Sequence, residues 1–134
     1  MITYEQYITA SGKYPERLTH PELTEELKTN AIQLLSKVNA FLIELGLTNV
    51  SVSSGFRPTE VNAATKGSAK ASLHCQCRAI DLGDVDGKID ALITSRDDLK
   101  KKYMLWQESP MNTKGWAHLD NKDRGVRKEN TFIP

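Results

Sequence analysis

Leu27, Ala31, Leu34, Leu35, Val38, Leu42 and Leu45 recur at helical spacing, and Gly46 comes directly after them. That spacing sets all seven side chains along one stripe of an α-helix, and a glycine suits the left-handed residue that ends one. A helix this long with one apolar stripe is most simply a core element, laid against a second layer of structure. Thr19-His-Pro-Glu has the form of a capping box, with Glu22 three residues after the cap, and places the helix start there. Beyond Gly46 the patterns are short and alternating. Val50-Ser-Val-Ser-Ser reads as a half-buried strand, Gly55-Phe-Arg-Pro breaks it, and Pro58 opens a short helix through Val61. Lys66-Gly-Ser-Ala-Lys reads as a loop and Arg78–Leu82 as a second strand. Residues 89–102 predict a helix with Leu92 and Leu99 inward and Lys100–Lys102 at its negative end. Short strands are expected around Met104–Trp106 and Trp116–Leu119, and from Asn121 the mixed charges without periodicity predict a loose tail over 121–134. The pattern is that of one small α+β domain, residues 1–134, with an antiparallel sheet and flanking helices.

Composition narrows the partners. A chain of 134 residues with 39% hydrophobic and 26% charged residues fits a single soluble globular domain. A net charge of +1 gives no basic face for nucleic acid. No apolar run approaches the ~20 residues that cross a bilayer, and Met1–Tyr7 lacks the basic and apolar segments of a secretory signal. The chain is therefore expected to stay in the compartment where it is made, as a monomer without membrane partners. Its only cysteines, Cys75 and Cys77, stand one residue apart. That spacing strains a disulfide, whose Cβ atoms sit about 3.5–4.5 Å apart. No second Cys or His pair exists to complete a zinc ribbon.

The stretch Ala71-Ser-Leu-His-Cys-Gln-Cys-Arg-Ala-Ile-Asp-Leu-Gly-Asp84 concentrates polar chemistry. In a strand, Ile80 and Leu82 share one face while Ala79 and Asp81 share the other. An aspartate mid-strand is costly to bury unless it is paired or bound to a cation. In Trp116-Ala-His-Leu-Asp, His118 shares its face with Trp116 and Asp120. Two strands can thus each present one ligand, with His74 on the loop before the first. Two imidazoles and a carboxylate leave a fourth tetrahedral position for water, the form of a catalytic zinc site.

Ser72-x-His74-x6-Asp81, with Ala79 two residues before the aspartate, resembles the Ser-x-His-x-x-Gly-x-Ala-x-Asp signature of the zinc D-Ala-D-Ala peptidases. That family includes carboxypeptidases, dipeptidases and phage L-alanyl-D-glutamate endopeptidases. Ser54-Gly55-Phe56-Arg57 with Asn62 is similar to the family's "SGYRS…N" segment, and Trp116-Ala-His118 to its "W-x-H" strand. The helix Asn30-Ala-x-x-Leu-Leu-x-x-Val-Asn39 resembles the one preceding these motifs in phage members. The resemblance implies a small α+β zinc-peptidase domain in which His74, Asp81 and His118 bind Zn²⁺. It makes Arg57 a substrate-holding arginine, with Ser72 and Asn62 as further substrate contacts. His20, the remaining histidine, is left as a structural residue beside Pro21.

Hydrolysis at zinc also needs a carboxylate that takes a proton from water and passes it to the leaving amine. Many relatives place it three residues before the second histidine, where this chain has Gly115. Glu108 is the expected general base, since some phage relatives carry a glutamate in a comparable place. Asp120 is its rival, and can instead hold an imidazole in orientation. Cys77 stands where the family usually has glycine, so a positive φ there would carry a cost. The leading expectation is a zinc peptidase that cuts peptidoglycan stem peptides. Its setting is phage lysis, with an endolysin made in the host bacterial cytoplasm and released to the wall. Two alternatives stand beside it: a non-enzymatic, metal-stabilised wall-binding or virion component, and a thiol-based redox or metal sensor using His74-Cys-Gln-Cys77.

Overall fold

A computed structural model of the protein describes residues 1–65, 68 and 72–134. Helix α1 (Tyr4–Thr9) begins at a reciprocal cap, in which the Thr3 hydroxyl accepts the Gln6 N–H and the Gln6 side chain accepts the Thr3 N–H. A tight turn over Pro15–Thr19 comes next, and then the long helix α2 (Glu25–Glu44). Its cap is Thr24, whose hydroxyl accepts the Leu27 N–H at 3.3 Å, and Glu25 and Glu26 sit at its positive end. The start expected at Thr19 is therefore displaced: Thr19 ends the preceding turn, and its hydroxyl bonds back to the Glu16 carbonyl. The apolar stripe is as anticipated, with Ala31, Leu34, Leu35, Val38 and Leu42 buried, and Gly46 lies just past the helix end at φ +75°.

Strand β1 (Val52–Ser54), helix α3 (Thr59–Ala64), strand β2 (Ala79–Asp84), helices α4 (Lys88–Ser95) and α5 (Asp97–Lys102), and strands β3 (Trp106–Glu108), β4 (Gly115–Asp120) and β5 (Thr131–Phe132) complete the chain. Pro58 caps α3 rather than entering it. The loop expected over 66–70 falls almost wholly outside the described residues. The single helix expected over 89–102 is two, because Arg96 leaves helical geometry at φ −122° and ψ 56°. Ile93 rather than Leu92 is fully buried as a result.

The strands order as β1-β2-β4-β3-β5. All pairs are antiparallel except β3 with β5, so the sheet is mixed rather than antiparallel throughout. Nor is the segment from Asn121 a loose tail. Its strand β5 pairs Thr131 with Gln107 and Phe132 with Glu108, and Asn130 is buried between Asp97 and the Leu105 carbonyl. Periodicity could not reveal a two-residue strand held mainly by backbone and side-chain polar bonds.

The inner face of the sheet carries Ile80, Leu82, Ala117 and Leu119 into one core with α1 and α2. The opposite face holds a polar row. Ser54 pairs with Asp81, and Asp81 pairs with His118. Because Gln107 stands opposite Leu119, the next residue, Glu108, stands opposite His118, and Phe132 closes the row. Neighbouring strands lie about 4.8 Å apart, so these side chains crowd one band across the sheet.

Candidate metal centre

His74 lies in a tight turn over Leu73–Gln76 that Ser72 caps, its hydroxyl accepting the His74 N–H at 3.2 Å. The His74 Nδ1 faces the Gly55 carbonyl at 2.8 Å, so that nitrogen carries the hydrogen. The other ring nitrogen, Nε2, is left facing Asp81 Oδ2 at 3.3 Å. Gly55 can lend its carbonyl because it has no side chain: a Cβ there would collide with the Tyr7 carbonyl. Tyr7 is itself pinned, fully buried with its hydroxyl donating to the Ala79 carbonyl at 2.8 Å. The first helix, which has no apolar periodicity to announce it, thus sets the wall behind the histidine.

His118 is arranged in the same way from the other strand. Its Nε2 donates to Asp120 Oδ2 at 2.9 Å and its Nδ1 faces Asp81 Oδ1 at 2.7 Å. The ligand atoms of His74, Asp81 and His118 all lie within 4.8 Å of one another, and all three residues are buried. Each imidazole has one nitrogen committed outward and one aimed at the same carboxylate. Burial would raise the Asp81 pKa, but the His74 charge and the imidazole hydrogen bonds hold it well below the usual range. Burial likewise opposes charging His118, yet its bonds to Asp120 and Asp81 raise its pKa to about 10. A divalent cation between the three residues satisfies both inner nitrogens and the carboxylate, and the donor set of two nitrogens and one oxygen suits zinc.

Glu108 is half-buried beside His118, and its carboxylate makes no hydrogen bond or ion pair among the described residues. Burial raises its pKa; the His118 charge opposes that shift, and the charges of Asp81 and Asp120 add to it. Asp120 is differently placed. Both of its oxygens are taken, by His118, by the Lys122 N–H at 3.1 Å and by the Arg124 guanidinium at 2.6 and 3.1 Å. It is 1% exposed. Gly115 opens β4 at φ +101°, a backbone that an acidic side chain would strain. Arg57 donates to Ser54 Oγ at 3.3 Å and to Asn62 Oδ1 at 3.1 Å, and its N–H bonds the His74 carbonyl at 3.2 Å. The guanidinium is thereby tied to the first residue of the polar row.

The cysteines stand aside. Cys77 is fully buried at φ +55°, the left-handed geometry expected where relatives have glycine, and burial pushes its thiol up to about 12. Burial raises the Cys75 thiol as well, so neither supplies a ready thiolate. A second group, His20, Glu22 and Glu60, lies within metal-ligand reach but closes on itself. The Glu22 N–H donates to His20 Nδ1, His20 Nε2 donates to Glu60, and Glu22 accepts the Thr59 N–H. Missed by sequence reasoning were the Gly55 carbonyl, Arg124 and Phe132, whose ring centroid lies 5.8 Å from that of His118. Only tertiary folding brings them to the site, Gly55 and Arg124 from connecting segments and Phe132 from β5.

No curated protein and no solved structure matches this chain. A family model described as Peptidase M15 matches residues 3–120, which takes in every residue of the buried triad and the strand carrying Glu108. With that match across most of its length, the chain belongs to the Peptidase M15 family of zinc peptidases.

Proposed function

We propose that this protein hydrolyses a peptide bond in the stem peptide of peptidoglycan, as an endolysin that reaches the wall from the host bacterial cytoplasm during phage lysis. The observation that carries the hydrolytic reading is the polar row itself. Two imidazoles and Asp81 converge at one point, and Glu108, a carboxylate with no hydrogen bond or ion pair among the described residues, is next along the sheet. Family membership supports the wall as substrate, and the resemblance of Asn30–Asn39 to the helix of phage members supports the setting. His74, Asp81 and His118 would hold the metal. Zinc, when bound, supplies Lewis acidity that polarises the scissile carbonyl and makes a water acidic enough to attack near pH 7.

The remaining work falls to side chains. Glu108 accepts the attacking water's proton, for which a raised pKa brings it closer to neutral, and returns it to the leaving amine. Arg57, held by Ser54 and Asn62, offers its other N–H groups to a substrate carbonyl or carboxylate. Ser72 is a turn cap that fixes His74, and its O–H and second lone pair remain to meet substrate. Asn62 acts through Arg57.

The test is mass spectrometry of muropeptides released from purified peptidoglycan, with and without chelator. Chelator-sensitive release is expected, and the new termini identify the bond, D-Ala-D-Ala or L-Ala-D-Glu. No release by zinc-loaded protein would give the lead to a non-catalytic wall-binding component.

A further inference from the structure

Beyond Asp120, where the family match ends, the chain turns back over the metal centre. Arg124 grips Asp120 with both ends of its guanidinium, at 2.6 and 3.1 Å, and is itself nearly buried. One face of that guanidinium lies 3.7 Å from the Phe132 ring centroid, and Trp106 lies 5.5 Å away. Phe132 in turn meets the His118 ring edge-on, and β5 fixes it there by pairing with Glu108. The links run without a gap: Phe132 and β5 hold Arg124, Arg124 holds Asp120, and Asp120 holds His118 Nε2.

We propose that Arg124 is a positioning residue for the metal centre, locking Asp120 so that the His118 ring presents Nδ1 towards Asp81. The proposal rests on the triad being a metal centre, and adds that residues 121–132 supply its outer support. A carboxylate with one fixed geometry can orient an imidazole, whereas one free to rotate cannot, and a planar fork fixes a carboxylate as a point charge does not. Other roles for Arg124 give different signs. Acting only by its charge, Arg124 would repel a cation nearby, so its removal would tighten zinc binding. Acting only by packing, its removal would lower the stability of the metal-free protein and leave zinc affinity alone.

The experiment is zinc affinity by chelator competition, alongside thermal melting of the metal-free protein, for the parent, Arg124→Ala, Arg124→Lys, Asp120→Asn and the Arg124→Ala/Asp120→Asn pair. Arg124→Ala is expected to weaken zinc binding by about 10–100-fold, the usual cost of an outer-shell partner. Arg124→Lys keeps charge and stem but not the fork, and should lose affinity in the same direction, which carries the test if Arg124→Ala does not fold. In the Asp120→Asn background the Arg124 change should cost little more, because both act through one link. Unchanged or tighter binding in the Arg124 variants, or fully additive losses in the pair, would overturn the proposal. A parent that binds no zinc would overturn it together with the metal centre. A parent that binds zinc but cuts no peptidoglycan would refute the proposed function and leave this inference standing.

Discussion

Glu108 and Asp120 show how little separates a base from a support at the level of single residues. Both are carboxylates on the polar face of the sheet, but Asp120 spends both oxygens on His118, Lys122 and Arg124, while Glu108 spends neither among the described residues. Glu108→Gln should therefore keep zinc and fold while lowering kcat on peptidoglycan by at least the ~10²-fold typical of lost acid–base catalysis. Turnover within threefold or so of the parent would remove Glu108 from the mechanism. For Arg57, tied to Ser54 and Asn62, Arg57→Ala is expected to leave zinc content near that of the parent. It should cut kcat/KM by about 10²-fold, the scale of one charged donor at a transition state. Arg57→Lys should recover little, since an ammonium lacks the fork, and full activity in Arg57→Ala would make the arginine a structural tie. The grouping of the candidate ligands was legible in the sequence, because strand alternation puts Asp81 and His118 on one face and the motif spacing supplies His74. The sequence put Glu108 ahead of Asp120 only by resemblance, and could not show that Asp120 is already engaged by Arg124, whose approach obeys no local period.

Among the elements, α2 and the central strands β2 and β4 were legible because a buried stripe or alternation wrote them into the chain. Helix α1 and strand β5 were not, being held by specific polar bonds. For β5 the anchor is Lys100, 1% exposed, whose ammonium reaches Gln107 Oε1 and Thr131 Oγ1 at 2.9 Å and Asp97 at 3.5 Å. Gln107 is also held by Asp90, whose other oxygen accepts the Thr113 hydroxyl at 2.6 Å. Reading residues 121–134 as loose missed this because a buried lysine looks, in sequence, like part of the solvated run Lys100–Lys102. Lys100→Met keeps the stem but removes the cation that Gln107 Oε1, Thr131 Oγ1 and Asp97 share, a loss of about 2–3 kcal/mol. Denaturant unfolding would measure it, with faster hydrogen exchange in β5. A loss below about 0.5 kcal/mol would mean that the backbone ladder alone holds β5.

Across the whole molecule, the core and the metal centre occupy opposite faces of one sheet. The core on the inner face can be built before any ion arrives, so the fold should form without zinc. Among the described residues no helix is long and apolar enough to cross a membrane. The buried carboxylate and imidazoles on the outer face are costly to leave without an ion, which is where binding energy enters. Every catalytic role proposed for this chain depends on His74, Asp81 and His118 forming a single zinc site with no cysteine in it. Zinc content of the purified parent, His118→Ala and the Cys75→Ser/Cys77→Ser pair tests that most directly. One zinc per chain is expected in the parent and the cysteine variant, with loss in His118→Ala. Zinc retained without His118 and lost without the thiols would contradict it.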